Sequence, residues 1–274
     1  MTRVAARVRA RAGFYRKSVA VSASKVLQYR VTNYLLIAII ATESVIYLML
    51  WQAVAAAGGG SVGAWTHREI AAYFVVLALV RNMTLTFSPY EFEGRIRSGS
   101  FAAALLRPMH PIHADIAEKG GEKLVTIVLW LPVTAALALV FRPELTVTAV
   151  ELVVFVLALW GAFLLRTLYL WLLGMTTFWT TRASAAFDLF LVLELLLSGR
   201  LVPLSLLPPW LADIAEFLPF RWVFGFPVES LVADLPAREL LAGLGMQALW
   251  AAAGSGAVAL MWRSAVRRHT AVGT

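Results

Sequence analysis

The sequence predicts an all-α, polytopic membrane fold, and three observations predict it. Hydrophobic residues make up 60% of the 274 and charged residues 15%, whereas a soluble domain runs at roughly 45–50% apolar and about 25% charged. Too few polar side chains remain to cover a soluble surface. The apolar residues are gathered into stretches of about 20, the length an α-helix needs to cross a hydrocarbon core of about 30 Å. The basic residues between those stretches are unevenly shared: with the stretches taken as spans, 17 Lys and Arg fall on one side and five on the other. Cysteine is absent, which excludes disulfide frameworks, thiolate nucleophiles and Cys-ligated zinc or iron–sulfur centres.

Residues 1–30 carry eight basic side chains and no acidic one. Val4, Val8, Ala12, Tyr15, Val19, Ala23 and Val26 recur every three or four positions between them. This pattern predicts a basic amphipathic helix lying in the interface of an anionic leaflet. A cleavable signal peptide ending near Ala53–Ala57 and an organellar transit peptide are the rival readings. The long charged region, and its direct passage into an apolar run, favour the interfacial helix. Six spans follow, at about 33–54, 69–89, 120–141, 147–176, 183–199 and 238–262. An even number keeps both termini on one side, and the excess of Lys and Arg places that side in the cytoplasm. Trp65, Trp210 and Trp222 are expected near the outer boundary and Trp179 and Trp262 near the inner one, as anchoring belts. Trp130, Trp160 and Trp171 lie deeper, as packing residues. Neither a repeat of 20–50 residues nor an inverted repeat is evident, so 1–274 reads as one transmembrane domain.

Two connections are too elaborate for plain turns. On the cytoplasmic side, 90–119 begins with Glu91, Glu93, Arg95 and Arg97 and breaks at Gly99. It continues as a short apolar helix from Phe101 to Leu106 and ends at Arg107-Pro108. Mixed charge around a short helix makes a docking surface for a protein partner; a solvated loop is the plainer alternative. On the outer side, 199–237 holds Pro203, Pro208, Pro209, Pro219, Pro227 and Pro236, which would break any continuous span. It folds either as short helices on the membrane surface or as a re-entrant hairpin. Non-helical backbone at membrane depth survives only against protein or a water-filled cavity. The outer end of span five therefore adjoins an assembly interface or a pathway, unless the segment is a lipid-facing lid.

The order of these parts, with two short motifs, resembles the permease subunit of bacterial type-2 ABC exporters. Ile96-Arg97-Ser98-Gly99-Ser100-Phe101 through Leu105-Leu106-Arg107-Pro108 is similar to the loop IrsGxLxxxLlrP of one bacterial subgroup. Ser198-Gly199 through Pro203-Leu204, then Leu207-Pro208-Pro209-Trp210-Leu211 and Leu218-Pro219-Phe220, is similar to the hairpin sGxxxPlxxxPxwlxxxxxxlPf. The likeness in layout covers nearly the whole chain, and the motifs a small part of it. The resemblance implies six spans per subunit, residence in the inner membrane, and a dimer with an identical or paralogous permease. It also implies a separate cytoplasmic ATPase that binds ATP and Mg. That ATPase would dock at Glu91, Glu93, Arg95, Arg97, Phe101, Leu105 and Arg107. The chain itself has no G-x-x-x-x-G-K-[ST] phosphate loop; Gly120-Gly121-Glu122-Lys123 is too short and runs straight into span three. It is expected to be a transport subunit, not an enzyme, with no cofactor of its own.

Charges inside spans are costly, and they are paired or functional. Glu43 and Arg81 stand at matching depths, which predicts a pair. Arg166 in span four faces either Asp188 or Glu194 in span five. Such pairs either fix helix register or switch between transport states. In span six, Gly243, Gln247, Ala251, Ser255 and Ala259 form a four-residue stripe suited to close helix contact, within the subunit or across a dimer. Tyr47 and Phe87 are expected to line a substrate cleft. His110 and His113, with Asp115 nearby, lack a third metal ligand. No hydrolase motif lies in the spans, and nucleic acid is not an expected partner because the basic residues follow the membrane. Two other functions compete: a non-transporting scaffold or sensor that binds a partner at 90–119, and a secondary transporter with Glu43, Asp188 or Glu194 as proton carriers.

Overall fold

A computed structural model describes residues 2–86, 88–106, 109–180 and 184–268, without the side chains of 2–10, 30, 184 and 268. Phe87, Arg107 and Arg182 lie outside the described residues. The chain runs α1 (Thr2–Gln28), α2 (Arg30–Ala57), β1 (Ser61–Val62), β2 (Trp65–Thr66), α3 (His67–Thr84), α4 (Pro89–Arg97), α5 (Ser100–Leu105), α6 (Pro111–Phe141) and α7 (Ala149–Met175). It continues through a 3-10 turn (Thr176–Phe178), α8 (Ser184–Leu197), a second 3-10 turn (Leu204–Leu206), α9 (Pro209–Phe217), α10 (Pro219–Val223), α11 (Gly225–Val232) and α12 (Ala237–Arg268). The two strands form a minimal antiparallel hairpin in the register Ser61↔Thr66 and Val62↔Trp65.

Among the described residues, five segments are long and apolar enough to cross a membrane: Val31–Ala57, His67–Arg97, Pro111–Phe141, Ala149–Phe178 and Ala237–Arg267. The second of these contains α3 and α4. The fifth expected span is instead the 14-residue α8. At 1.5 Å per residue it extends about 21 Å, short of a hydrocarbon core of about 30 Å.

Helix α3 lies at the centre, buried from Ile70 to Thr84 except for Leu79, and packs against α2, α6, α7 and α11. A helix apolar on every side belongs in this position. It starts with a capping box, Thr66 with Glu69, and α7 starts with another, Thr148 with Glu151. Each satisfies orphan amides at a helix entry.

Helix α6 begins nine residues before the expected span, at Pro111. His110 Nδ1 accepts from the Ile112 amide at 3.2 Å, and Pro111 occupies the first helical position, where a missing N–H costs nothing. The charged stretch 115–123 looks like loop by composition, yet its charges are engaged. Lys25 meets Glu118 at 3.0 Å and Lys119 meets Glu122 at 3.2 Å. Helix α1 lies along this part of α6, with Tyr15 Oη 2.8 Å from His113 Nδ1. A Cβ on Gly121 would stand 2.8 Å from the Val19 backbone, while Gly120 faces Trp160 and Phe163 of α7. The two glycines thus admit α1 on one flank of α6 and α7 on the other.

The proline-rich segment 199–237 becomes short helices, with Pro209 and Pro219 in the first turns of α9 and α10. Helices α10 and α11 pack on α7, and α11 also on α3. Trp222 therefore lies in the core, not in the expected outer belt. Trp130 and Trp171 are fully buried, as packing residues are.

Helix α12 packs along α7. Gln247 Nε2 donates to Ala158 O at 3.0 Å and to Trp222 O at 2.8 Å. The expected stripe holds through Gly243, Gln247 and partly buried Ala251. Ser255 and Ala259 are exposed, and Gly254 and Val258 take the buried positions. A helix of 3.6 residues per turn drifts off a strict four-residue line.

Candidate functional site

The first site region is an aromatic hub at one end of the bundle. Ser88 Oγ accepts from the Tyr90 amide at 3.3 Å and Pro89 starts α4. After α4 the chain turns at Gly99, whose φ of 71° is left-handed, a conformation that glycine adopts without a Cβ clash. That turn folds α5 back so that Phe92 and Phe101 meet, with ring centroids 4.9 Å apart. Both rings are fully buried. Phe92 stands edge-on to Trp171 at 5.1 Å, Phe101 lies 6.1 Å from Trp262, and His110 lies 4.1 Å from Trp262. Arg95 grips Asp115 with two bonds of 2.9 and 3.0 Å, and Asp115 also accepts from Trp171 Nε1 at 2.8 Å. One carboxylate therefore ties α4, α6 and α7 together.

The expected partner-docking residues divide between two faces of this unit. Arg95 and Phe101 are turned into the fold, and buried Glu93 accepts from Arg97 at 3.1 Å. Glu91 is exposed, the Arg97 side chain is 76% exposed, and Leu105 is half-buried. Leu106, read from the sequence only as the end of the apolar helix, is 88% exposed.

His110 makes the hub sensitive to acid. Burial, with His113 nearby, lowers its pKa from 6.5 to about 4, and the ring caps α6 through Nδ1 only while that nitrogen is unprotonated. The stability that the neutral ring contributes is whole above about pH 6.5 and is lost as pH falls towards 4. Acidification across that window is expected to loosen the hub, read as a change in tryptophan fluorescence. His110→Asn keeps a capping oxygen and should flatten that part of the profile; an unchanged profile would refute the assignment.

The second region is a network of charges between the spans. Glu43 and Arg81 pair as expected. Arg166 chooses Glu194, through Nε at 3.0 Å and Nη2 at 2.9 Å. Asp188 instead accepts from Tyr90 at 3.0 Å, because six residues along α8 put it about 9 Å away, level with α4. Arg200, which the sequence places outside the spans, reaches back to Glu43 at 3.4 Å and Glu194 at 3.8 Å. Its position depends on Gly199, with φ of 84°. The Gly199 carbonyl accepts from Tyr73 at 2.7 Å, and a Cβ there would stand 2.6 Å from that hydroxyl. Two cations also serve the end of α3: Arg166 Nη1 donates to Thr84 O and Lys123 Nζ to Asn82 O, each at 2.7 Å. The last carbonyls of a helix have no partner within it and carry its negative pole. Phe224 lies under both Arg166 and Arg200, at 5.3 and 5.9 Å.

Tyr47 stacks on Phe74 at 6.2 Å. It stands apart from the apolar groove between α2 and α6, which is lined by Val45, Met49, Gln52, Leu137 and Phe141 among others. Among the described residues, no three His, Asp or Glu side chains gather as a metal site.

A family model described as ABC-2 family transporter protein matches residues 38–273. Among curated proteins none matches the chain. The match runs from α2 through the whole charge network and α12, on a chain whose described residues hold five helices long and apolar enough to cross a membrane, and the chain therefore belongs to the ABC-2 family of transporter membrane proteins, as one of its multi-pass permeases.

Proposed function

We propose that the chain is the permease subunit of an ATP-driven exporter. It moves an amphipathic or hydrophobic substrate outward through a dimer of permeases, identical or paralogous, and a separate ATPase supplies the energy. The two-faced α4–α5 unit carries this reading. Its inner face is wedged by Phe92 and Phe101 against Trp171 and Trp262, so a push on the unit reaches α7 and α12. Its outer face offers Glu91, Arg97 and Leu106. A solvated loop needs no such wedge, and a scaffold has no use for a rigid link into the spans. ATP and Mg are held by the partner, since this chain lacks a phosphate loop.

In the same reading the chain sits in a bacterial inner membrane with both termini cytoplasmic. Helix α8 opens the sixth crossing and the turn after it leaves Arg200 at membrane depth, because Glu43, its partner, stands midway along α2; the short helices that follow complete that crossing. The proton-carrier reading fits less well: Glu194 is 1% exposed and faces two guanidiniums.

The test is purification of the tagged full chain from its own membranes. An ATPase should accompany the wild type in stoichiometric amount. Glu91→Lys and Leu106→Asp alter exposed side chains, so yield should hold while ATPase recovery falls about tenfold or more, as for loss of an interface hot spot. A wild type recovered without an ATPase, or both variants keeping it, would overturn the proposal.

A further inference from the structure

The charge network does not balance. Among the described residues, Arg81, Arg166 and Arg200 face only Glu43 and Glu194 in one connected set of ion pairs. Lys123 stands close by as a further basic group, bonded to Asn82 O at the end of α3. Guanidinium groups do not give up their proton in proteins, so at least one positive charge is uncompensated where the surroundings are apolar. Isolated charge in such a medium is costly, and it is kept where something pairs with it.

The unused donors show where the partner goes. Arg166 spends all three of its nitrogens on Glu194 and Thr84. Arg81 Nη1 and Arg200 Nε are buried with no partner among the described residues. Both guanidiniums flank Glu43, whose side chain is 39% exposed and forms the open edge of the network. Arg81 is only 9% exposed, and Arg200 is held over Phe224. The two cations are thus pre-positioned, and each has a spare N–H that lies just beneath the surface, so a headgroup gains it by displacing what covers it.

We infer that this edge is a binding site for an oxyanion, the phosphate or carboxylate headgroup of an amphiphilic molecule, seated between Arg81 and Arg200 beside Glu43. Planar guanidiniums suit such groups because they present paired N–H donors to paired oxygens. The inference rests on the permease reading for its meaning, because a headgroup site at the open edge of the spans defines the class of amphiphile handled. The shared chemistry has two sources, a bilayer lipid or the transported molecule.

The experiment titrates the full chain, in neutral detergent, with phosphatidylglycerol against phosphatidylcholine, and counts bound lipid by native mass spectrometry. The wild type should prefer phosphatidylglycerol. Arg200→Gln should weaken that preference about tenfold, the size of one charge-assisted hydrogen bond. Glu43→Gln should strengthen it, because an anion is removed and N–H groups on Arg81 and Arg200 are released. Misfolding cannot produce opposite shifts, and the basic α1 is unchanged in all three proteins. Equal preference across the three, or no preference in the wild type, overturns the site. Where an ATPase co-purifies, turnover stimulated by dodecyl phosphate in an Arg200-dependent way marks cargo. Unmoved turnover with the lipid preference intact marks a resident lipid, and both outcomes support the oxyanion site. An ATPase that co-purifies with a chain showing no anion preference sinks the site and spares the permease reading. Anion preference without any ATPase does the reverse.

Discussion

Replacing Arg166 with Met is expected to cost about 3–5 kcal/mol, the penalty for leaving a buried charge without its partner. The guanidinium makes two bonds to Glu194 and one to Thr84 O, and it lies over Phe224. Glu194 is 1% exposed, so water cannot replace what is lost, and Arg200 at 3.8 Å is too distant to substitute. Folded domains are stable by only about 5–15 kcal/mol. The variant should therefore melt far below the wild type in detergent, or fail to give a monodisperse peak.

Adding Glu194→Leu to Arg166→Met should recover part of the loss, because removing both members of a buried pair is far milder than removing one. Recovery should be incomplete, since Thr84 O stays unpaired and Arg200 loses a counter-charge. Asp188→Asn is the contrasting case. Asp188 meets Tyr90 at an exposed position, and a surface change of that kind costs within about 0.5 kcal/mol. If Arg166→Met and Asp188→Asn melt together at the wild-type temperature, the network is not structural.

The parts of this network that the sequence announces are those lying on uninterrupted helices. Glu43 and Arg81 are each reached by counting residues from a helix end, so their matching depths are readable. Arg200 is not, because its depth depends on the tight turn at Gly199 and on the Tyr73 hydroxyl, contacts between residues far apart in the chain. The early start of α6 is hidden for a similar reason. Its charges look like loop until Lys25 and Arg95 arrive from elsewhere in the chain. In α4–α5, the charges read as a docking surface, and nothing local says that Phe92 will meet Trp171 or that Phe101 will meet Trp262. Composition and periodicity report what one helix wants to bury, and tertiary packing decides against what.

Gly174→Leu is expected to uncouple α4–α5 from the spans while leaving the spans folded. A Cβ at Gly174 would stand 2.9–3.0 Å from the Phe92 side chain, so any larger residue must displace that ring. The ring has nowhere to go, being fully buried beside Phe101, Trp171 and Phe178. Forcing extra methylenes into such a contact costs about 1–3 kcal/mol. The strain falls on α4, which is nine residues long and held by that wedge and by Arg95–Asp115. Helix α7 itself gains, since Leu is a better helix former than Gly by close to 1 kcal/mol. Melting of the helical body should thus change little, while trypsin cleavage at Arg95 and Arg97 should speed up about tenfold, as local opening exposes backbone that the wedge now protects. Phe92→Ala in the Gly174→Leu background makes room and should restore part of the protection. Cleavage as slow in Gly174→Leu as in the wild type would mean that the Phe92 wedge does not hold α4 to α7, and that force from a docked ATPase reaches the spans by another route.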